Sequence, residues 1–220
     1  MNFGIIADGN RRWAKKNNVS FFEGHRQGFL AIKNEILPEL KKSKLFSSCT
    51  VYGFSTENWK RDRLEVKNLM KLFVEIFDNF LEELLAEKIR LFHVGKKNRL
   101  PKILQKKIQK AEILTEKNKN FNFYLCLNYG GRDEILRTFE LISQKKIKKI
   151  NEKNFSKYLE VPNLDIILRT GGEKRISNFC IWQGAYAELF FLDKFLPDIK
   201  KNDIKNIIKT FYDRDRRKGA

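Results

Sequence analysis

The residues able to do chemistry in this chain gather in short polar clusters, each following an apolar run. The first is Asp8-Gly9-Asn10-Arg11-Arg12-Trp13, after the apolar stretch 3–7. A strand that stops at an acid and a glycine and then feeds a helix sets free backbone N–H groups and the positive helix end beside that acid. Anionic oxygens are favoured there, yet Asp8 would repel them unless a divalent cation lay between. The combination predicts magnesium and a phosphorylated ligand. Three more clusters follow the same plan: Ser55-Thr56-Glu57-Asn58-Trp59-Lys60-Arg61, Asn128-Tyr129-Gly130-Gly131-Arg132, and Arg169-Thr170-Gly171-Gly172-Glu173 with Arg175 and Ser177. Glu188, from the segment after them, is expected to add a second acid to the same rim. Arginine offers a planar fork that grips phosphate oxygens in pairs. One guanidinium about 4 Å from a phosphate charge contributes about 4 kcal/mol at an effective dielectric of ~20, so several could hold a diphosphate while the rest of the ligand reacts.

Other chemistries find no pattern here. The glycines near Lys174 do not make a Walker A loop, no G-x-G-x-x-G follows a strand, and no serine elbow is present. His25 and His93 have no second ligand at metal spacing. His93 sits inside an apolar run and is expected to be a satisfied core residue. His25 stands at a helix start, where an imidazole either meets a phosphate or closes the turn.

The elements that must position these clusters alternate. Strands are expected at 3–7, 50–54, 89–94, 121–127, 164–168 and 187–192. Helices are expected at 24–40, after Arg61 through Leu85, from Pro101 to about Glu116, from a cap at Asp133 to about Ile142, after a cap at Asn154, and around Ile204 to Phe211. In the long helix, Leu69, Leu72, Phe73, Ile76, Phe77, Phe80, Leu81, Leu84 and Leu85 recur at spacings of three and four. One of its faces, with Phe73 and Phe77, is expected to line an apolar tunnel against the sheet. Alternation of this kind predicts a single α/β domain over 1–220 with a central, mostly parallel six-stranded sheet flanked by helices and a charged tail at about 214–220. In such a sheet, ligands bind in the crevice at the strands' carboxyl ends.

Composition narrows the partners. The 220 residues are 42% hydrophobic, with 45 Lys plus Arg against 27 Asp plus Glu, a net charge of +18. That charge suits nucleic acid, an anionic membrane face or a strongly anionic small substrate. No RNA-reading aromatic motif, zinc finger or basic heptad helix appears, so no nucleic-acid partner is expected, and a basic nucleic-acid-binding module is the rival reading. No apolar run reaches the ~20 residues that span a bilayer. No signal peptide is expected, and Cys49, Cys126 and Cys180 read as reduced core residues of a cytoplasmic protein. A peripheral station at the inner membrane face, with transient membrane contact, is left open.

Taken together the clusters resemble the signature blocks of the cis-prenyltransferases. The matching stretches are Asp8-Gly9-Asn10-Arg11-Arg12-Trp13-Ala14, Gly24-His25, Phe54-Ser55-Thr56-Glu57-Asn58-Trp59, Asn128 to Arg132 and Asp165 through Arg169 to Phe179. Trp182-Gln183, Tyr186 to Leu189, Phe195 to Asp198 and Asp213 to Arg217 continue the match in the family's order. The resemblance implies repeated addition of isopentenyl diphosphate to an allylic diphosphate, usually farnesyl diphosphate, with magnesium and a homodimer. The product would be a long polyprenyl diphosphate such as undecaprenyl diphosphate, the carrier-lipid precursor for cell-wall glycan.

The resemblance also implies roles. Asp8 would bind magnesium with diphosphate and assist its departure. Gly9, Asn10, Arg11, Arg12, Trp13 and His25 would cradle the allylic diphosphate. Asn58 would help remove a proton from the incoming unit, with Ser55, Thr56, Glu57, Trp59 and Arg61 as substrate contacts. Arg169, Arg175, Ile176 and Ser177 would hold isopentenyl diphosphate, and Glu188 would be the second metal-associated acid. Two positions depart from the pattern: Phe21 stands where the family often has a basic residue, with Arg26 a candidate substitute, and Lys174 stands where some relatives have histidine. A non-catalytic subunit of this family would tend to lose the Asp-Gly-Asn or Arg-x-Gly block, and both are intact.

Overall fold

Phe3 and Ile5 are sealed in the larger of two apolar clusters and Ile6 in the smaller, on the opposite face of the same short strand. Alternate residues of a strand point to opposite faces, so a run that is apolar throughout belongs in the middle of a sheet covered on both sides. The computed structural model, which describes residues 1–214, bears this out. In chain order the elements are β1 (Asn2–Ile6), α1 (Asn10–Lys16), α2 (Phe21–Ala31), a π turn (Ile32–Ile36), α3 (Leu37–Lys42), β2 (Ser48–Ser55) and a 3-10 turn (Thr56–Lys60). Then come α4 (Arg63–Ala86), β3 (Ile89–Val94), α5 (Lys102–Thr115), β4 (Phe121–Tyr129), α6 (Gly131–Gln144) and α7 (Glu152–Ser156). The chain continues with β5 (Ile166–Arg169), β6 (Glu188–Phe191), a 3-10 turn (Leu196–Asp198) and α8 (Lys201–Asp213).

The six strands form one parallel sheet in the order β3-β4-β2-β1-β5-β6. β1 lies between β2 and β5, with Ile6 level with Tyr52 and with Arg169. The larger cluster packs α2, α3, α4, α5 and α8 on one face. The smaller one, around Tyr52, Cys126, Tyr129, Ile167 and Phe179, fills the other. All three cysteines are buried and free.

Several expected boundaries move for local reasons. The helix expected at 24 starts at Phe21, because the Ser20 hydroxyl accepts the Glu23 N–H at 3.2 Å. It widens into the π turn before Pro38, whose ring cannot donate to Asn34 and crowds its carbonyl. Asp133 is not a cap. The α6 N-cap is Gly130, and Asp133 sits in the first turn, where it pairs with Lys96 and Arg137. Asn151, not Asn154, caps α7 by accepting the Asn154 N–H at 2.9 Å. In α4, Asp62 caps the start through the Leu64 and Glu65 N–H groups. Of the nine apolar positions in that helix, seven are buried, Leu81 packs partly, and Leu85 turns outward. His93 is not fully satisfied: its Nε2 is buried with no hydrogen-bond partner among the described residues. The closing block and the expected charged tail, beyond Arg214, lie outside the described residues.

Candidate active site

Because the sheet is parallel, the segments after β1, β2, β4 and β5 open on one edge, and Asp8 stands at its centre. Its Oδ1 accepts the Gly9 N–H at 2.6 Å and its Oδ2 accepts Arg169 Nη2 at 2.8 Å. The turn that holds it is locked from β5: the Thr170 hydroxyl donates to the Asp8 carbonyl at 2.7 Å and accepts the Asp8 N–H at 3.1 Å. Gly171, at φ +87°, lets Arg12 approach; a Cβ there would meet Arg12 Nη2 at 2.7 Å. Burial pushes the Asp8 carboxyl up, but the Arg169 hydrogen bond, the Gly9 N–H and the charges of Arg169 and Arg12 outweigh it, leaving Asp8 below its ordinary value.

Arg169 is only 5% exposed. Nη1 donates to the Arg175 carbonyl at 2.5 Å and to Ser177 Oγ at 2.7 Å, while Nε is buried without a partner among the described residues. Ser177 and Asn178 hold φ values of +47° and +64°, backbone that few non-glycine residues adopt. Arg175, in contrast, has a side chain 62% exposed, tied to Glu173 at 2.7 Å; Glu173 also meets Arg12 at 3.5 Å.

Two hollows meet at Asp8. The smaller, about 410 Å³, is lined by Asp8, Gly9, Asn10, Arg11, Arg12, Lys15, Phe21, His25 and Arg61. Glu65 bridges Arg11 (3.6 Å) and Arg61 (3.0 Å) beside it. Phe21 leaves no basic side chain at its own position but lies under the Arg11 guanidinium, 4.8 Å from ring to charge. Arg26 is not the substitute: it pairs with Glu23 and does not line the hollow, whereas Lys15 does. His25 Nδ1 lies 3.2 Å from the Asn10 amide nitrogen. When that amide donates, the imidazole proton sits on Nε2, which is buried with no partner among the described residues. Burial, with the charges of Arg61 and Arg11, pushes His25 down to about 4, so the ring is neutral near pH 7.

The larger hollow, about 580 Å³, begins at Asp8, Ser55, Glu57, Asn58, Arg61, Arg169 and Ser177. It runs inward between α2, α4 and the sheet along Phe29, Ile32, Phe73, Ile76 and Phe77 to Leu84, Leu91 and Phe123. Phe73 and Phe77 thus line a tunnel while remaining core residues. Glu57 accepts from Asn178 Nδ2 (2.9 Å) and the Thr56 hydroxyl (3.0 Å). Burial raises the Glu57 carboxyl; these hydrogen bonds reverse that and leave it below its ordinary value.

Other expected residues lie elsewhere. Trp13 and Trp59 line neither hollow: their indole N–H groups brace the rim from behind, on Asp198 and Asn128, both at 2.7 Å. Thr56 also lines neither, and Ile176 packs into the smaller core cluster. Asn58 lines the larger hollow, but its Oδ1 already accepts the Ser55 N–H at 3.0 Å. The largest correction is Glu188. It opens β6 level with Ile166, at the strand starts, whereas Asp8 lies beyond the strand ends, and it pairs with Arg214 at 2.6 Å. Glu188 is therefore not part of this rim. Thr170, Glu173, Glu65 and Lys15, which carry no expected role, also take part in the site. The sequence held one signal for them, their position within or just after the polar clusters.

A charged mouth that opens into a long apolar cavity, on the carboxyl edge of a parallel sheet, defines a site for an amphiphile with an anionic head and a hydrocarbon tail. A family model described as "Putative undecaprenyl diphosphate synthase" matches residues 6–219. The isoprenyl transferase of Fusobacterium nucleatum is 41% identical, over 98% of this chain and 94% of its own length. The farnesyl-diphosphate-specific ditrans,polycis-undecaprenyl-diphosphate synthase of Wigglesworthia glossinidia brevipalpis is 40% identical over 98% of this chain and 85% of its own. In structure, lavandulyl diphosphate synthase from Lavandula x intermedia, in complex with dimethylallyl diphosphate, superposes with a TM-score of 0.90 at 31% identity, covering 98% of this chain and 96% of that one. This chain belongs to the undecaprenyl diphosphate synthase family and is a prenyl-transferring enzyme.

Proposed function

We propose that the protein is a magnesium-dependent cis-prenyltransferase that adds isopentenyl diphosphate repeatedly to an allylic diphosphate, with farnesyl diphosphate as starter and undecaprenyl diphosphate as product. The observation that carries this is the single cavity with Asp8 and Arg169 at its mouth and Phe77, Leu84 and Leu91 in its depth. The smaller hollow takes the allylic diphosphate on Arg11, Arg12, Lys15 and the neutral Nε2–H of His25. Arg169, Arg175 and Ser177 take the diphosphate of the incoming unit. Arg175, exposed and held by Glu173, reaches a ligand by exchanging that carboxylate for a phosphate, while Arg169 is fixed in advance.

As the allylic carbon–oxygen bond breaks, negative charge grows on the departing diphosphate, and cations already fixed around it stabilise that state most. The double bond of the second substrate attacks the allylic carbon as the diphosphate leaves, the new tertiary cation loses a proton from the neighbouring carbon to a diphosphate oxygen held at the same mouth, and the apolar walls keep water from the cation in between. Asn58, a neutral amide whose oxygen is engaged, positions the reacting unit rather than taking its proton. Asp8 fits a magnesium ion in the manner of sites built from one carboxylate plus substrate phosphates. Glu188 does not, and among the described residues no group of three acids, cysteines or histidines could hold a metal. When bound, the ion would neutralise charge on the leaving diphosphate.

What supports a homodimer is the open edge of the sheet at β6, with Leu189 exposed on it, and the exposed Leu136 and Phe139 on α6. No helix among the described residues is long and apolar enough to cross a membrane. The test of the tunnel is product analysis by chromatography after Phe77→Ala. The expected outcome is a changed chain-length distribution, and an unchanged distribution would contradict a wall role for Phe77.

A further inference from the structure

The larger cavity ends beside Leu81 and Leu84 of α4, at the opposite edge of the sheet from its charged mouth. Just outside that end, three turns lead into strand starts: 41–47 into β2, 86–88 into β3 and 115–120 into β4. They are joined to one another. Lys41 Nζ donates to Glu87 at 2.5 Å, Asn118 Nδ2 donates to the carbonyls of Leu84 (3.2 Å) and Ile89 (2.9 Å), and the Asn120 N–H donates to the Lys88 carbonyl at 3.2 Å.

This surface carries two features that do not usually share a solvated face. Aliphatic side chains stand in the open: Ile113 is 62% and Leu114 46% exposed, and Leu45 in the first turn and Leu85 just before the second are exposed as well. Lys42, Lys44, Lys88, Lys117 and Lys119 are also exposed, and among the described residues none of them has an ion-pair partner. The end of α6 reaches the same edge, and the segments 41–47, 86–88, 115–120 and 144–151 together hold ten lysines against the acids Glu87 and Glu116. Lys44 and Lys88 have φ values of +55° and +51°, where glycine or asparagine fits with less strain. Turn geometry therefore does not account for lysine there. A nucleic-acid surface would interleave aromatics with its cations; here the exposed apolar side chains are aliphatic.

We propose that this face docks the protein on an anionic lipid bilayer, the lysines against phosphate headgroups and Leu45, Leu85, Ile113 and Leu114 in the interface. The inner end of the apolar cavity then faces the membrane, so that a long hydrocarbon product is released beside the phase that dissolves it. The release half rests on the prenyl-chain reading of the cavity; the docking half stands on this surface alone.

The test is flotation of the full chain with phosphatidylglycerol-containing vesicles and with phosphatidylcholine vesicles, alongside turnover measured in detergent. The wild type should float with the anionic vesicles only, and less at high salt. At about fivefold per lysine near an anionic surface, the triple variant K42Q/K117Q/K119Q should lose about 100-fold in partitioning. I113S/L114S should weaken flotation at every salt concentration, and both variants should keep wild-type melting temperature and detergent turnover. A wild type that does not float, or a triple variant that floats equally well, overturns the proposal. So does tighter binding of single-stranded RNA than of vesicles, with the same substitutions removing only the RNA binding. Vesicle binding that behaves as described while no turnover is found in detergent would sustain the docking face and refute the transferase reading.

Discussion

Asp8 and Glu134 are two acids that follow strand ends on the same edge of the sheet, and their surroundings are opposite in kind. Asp8 is part-exposed at the mouth of both hollows, held by a guanidinium and a backbone N–H. Glu134 is sealed at 1% exposure. It accepts the Tyr129 hydroxyl at 2.5 Å, the Gln183 amide at 2.9 Å and the Glu160 N–H at 2.8 Å, all neutral donors. Burial dominates at Glu134 and raises its carboxyl despite those bonds, while at Asp8 positive partners overcome burial and lower it. The first arrangement keeps an anion ready among cations that a ligand can recruit. The second spends its whole hydrogen-bonding capacity on tying α6, the Glu160 loop and Gln183 together. On the proposed reading, similar chemistry thus serves catalysis at Asp8 and architecture at Glu134.

The sharpest way to break this contrast is Asp8→Asn. We expect turnover to fall by about 10³-fold or more, as when a group that stabilises developing charge is lost, with the melting temperature within a few degrees of wild type. Wild-type turnover would remove Asp8 from the chemistry. Glu134→Ala should do the reverse, costing about 3 kcal/mol because the buried Tyr129 hydroxyl and Gln183 amide and the part-buried Glu160 N–H lose their acceptor. That is a melting-temperature drop of about 6–12 °C for a chain this size, with turnover per folded molecule little changed. A large fall in turnover without loss of stability would place Glu134 in the site instead.

Protonation should separate the two acids further. Asp8 is lowered on folding, so its contribution to stability is present above its unfolded value and is lost as pH falls through its folded value. Glu134 is raised, so its contribution is full at low pH and declines as pH rises through its folded value. His25 and His93, both pushed down to about 4 mainly by burial, add a loss of stability as pH falls from about 6.5 towards 4, because the unfolded chain takes up their protons first. Chemical denaturation between pH 7 and 4.5 should show this decline, and His93→Gln should flatten it. The smallest effect expected is with inorganic pyrophosphate, which should bind the smaller hollow and favour protonated His25. The decline with falling pH should then be shallower with pyrophosphate than without it, and an unchanged slope would mean that His25 does not meet the phosphate.

Much of this was legible in the residues. Polar clusters after apolar runs located the rim, and the period of α4 located the wall with Phe73 and Phe77. What failed depended on partners far away in the chain. Glu188 belongs to a strand, as expected, but opens it, and a residue that opens a parallel strand lies at the edge away from the ligand crevice. The motif points the indoles of Trp13 and Trp59 at substrate, yet their donors are taken by Asp198 and Asn128, respectively 185 and 69 positions away. Glu65 and Lys15 carry no signal of their own in the sequence, because they stand on helix faces where a lone charge is usually solvated.

The account depends on the charged mouth and the apolar depth acting on one molecule. Its most direct test is incubation of the purified chain with magnesium, farnesyl diphosphate and labelled isopentenyl diphosphate, followed by butanol extraction. The account predicts a labelled long-chain lipid that disappears with a chelator and with Asp8→Asn. Folded protein that yields no extractable label, or that yields it equally without magnesium, would contradict it.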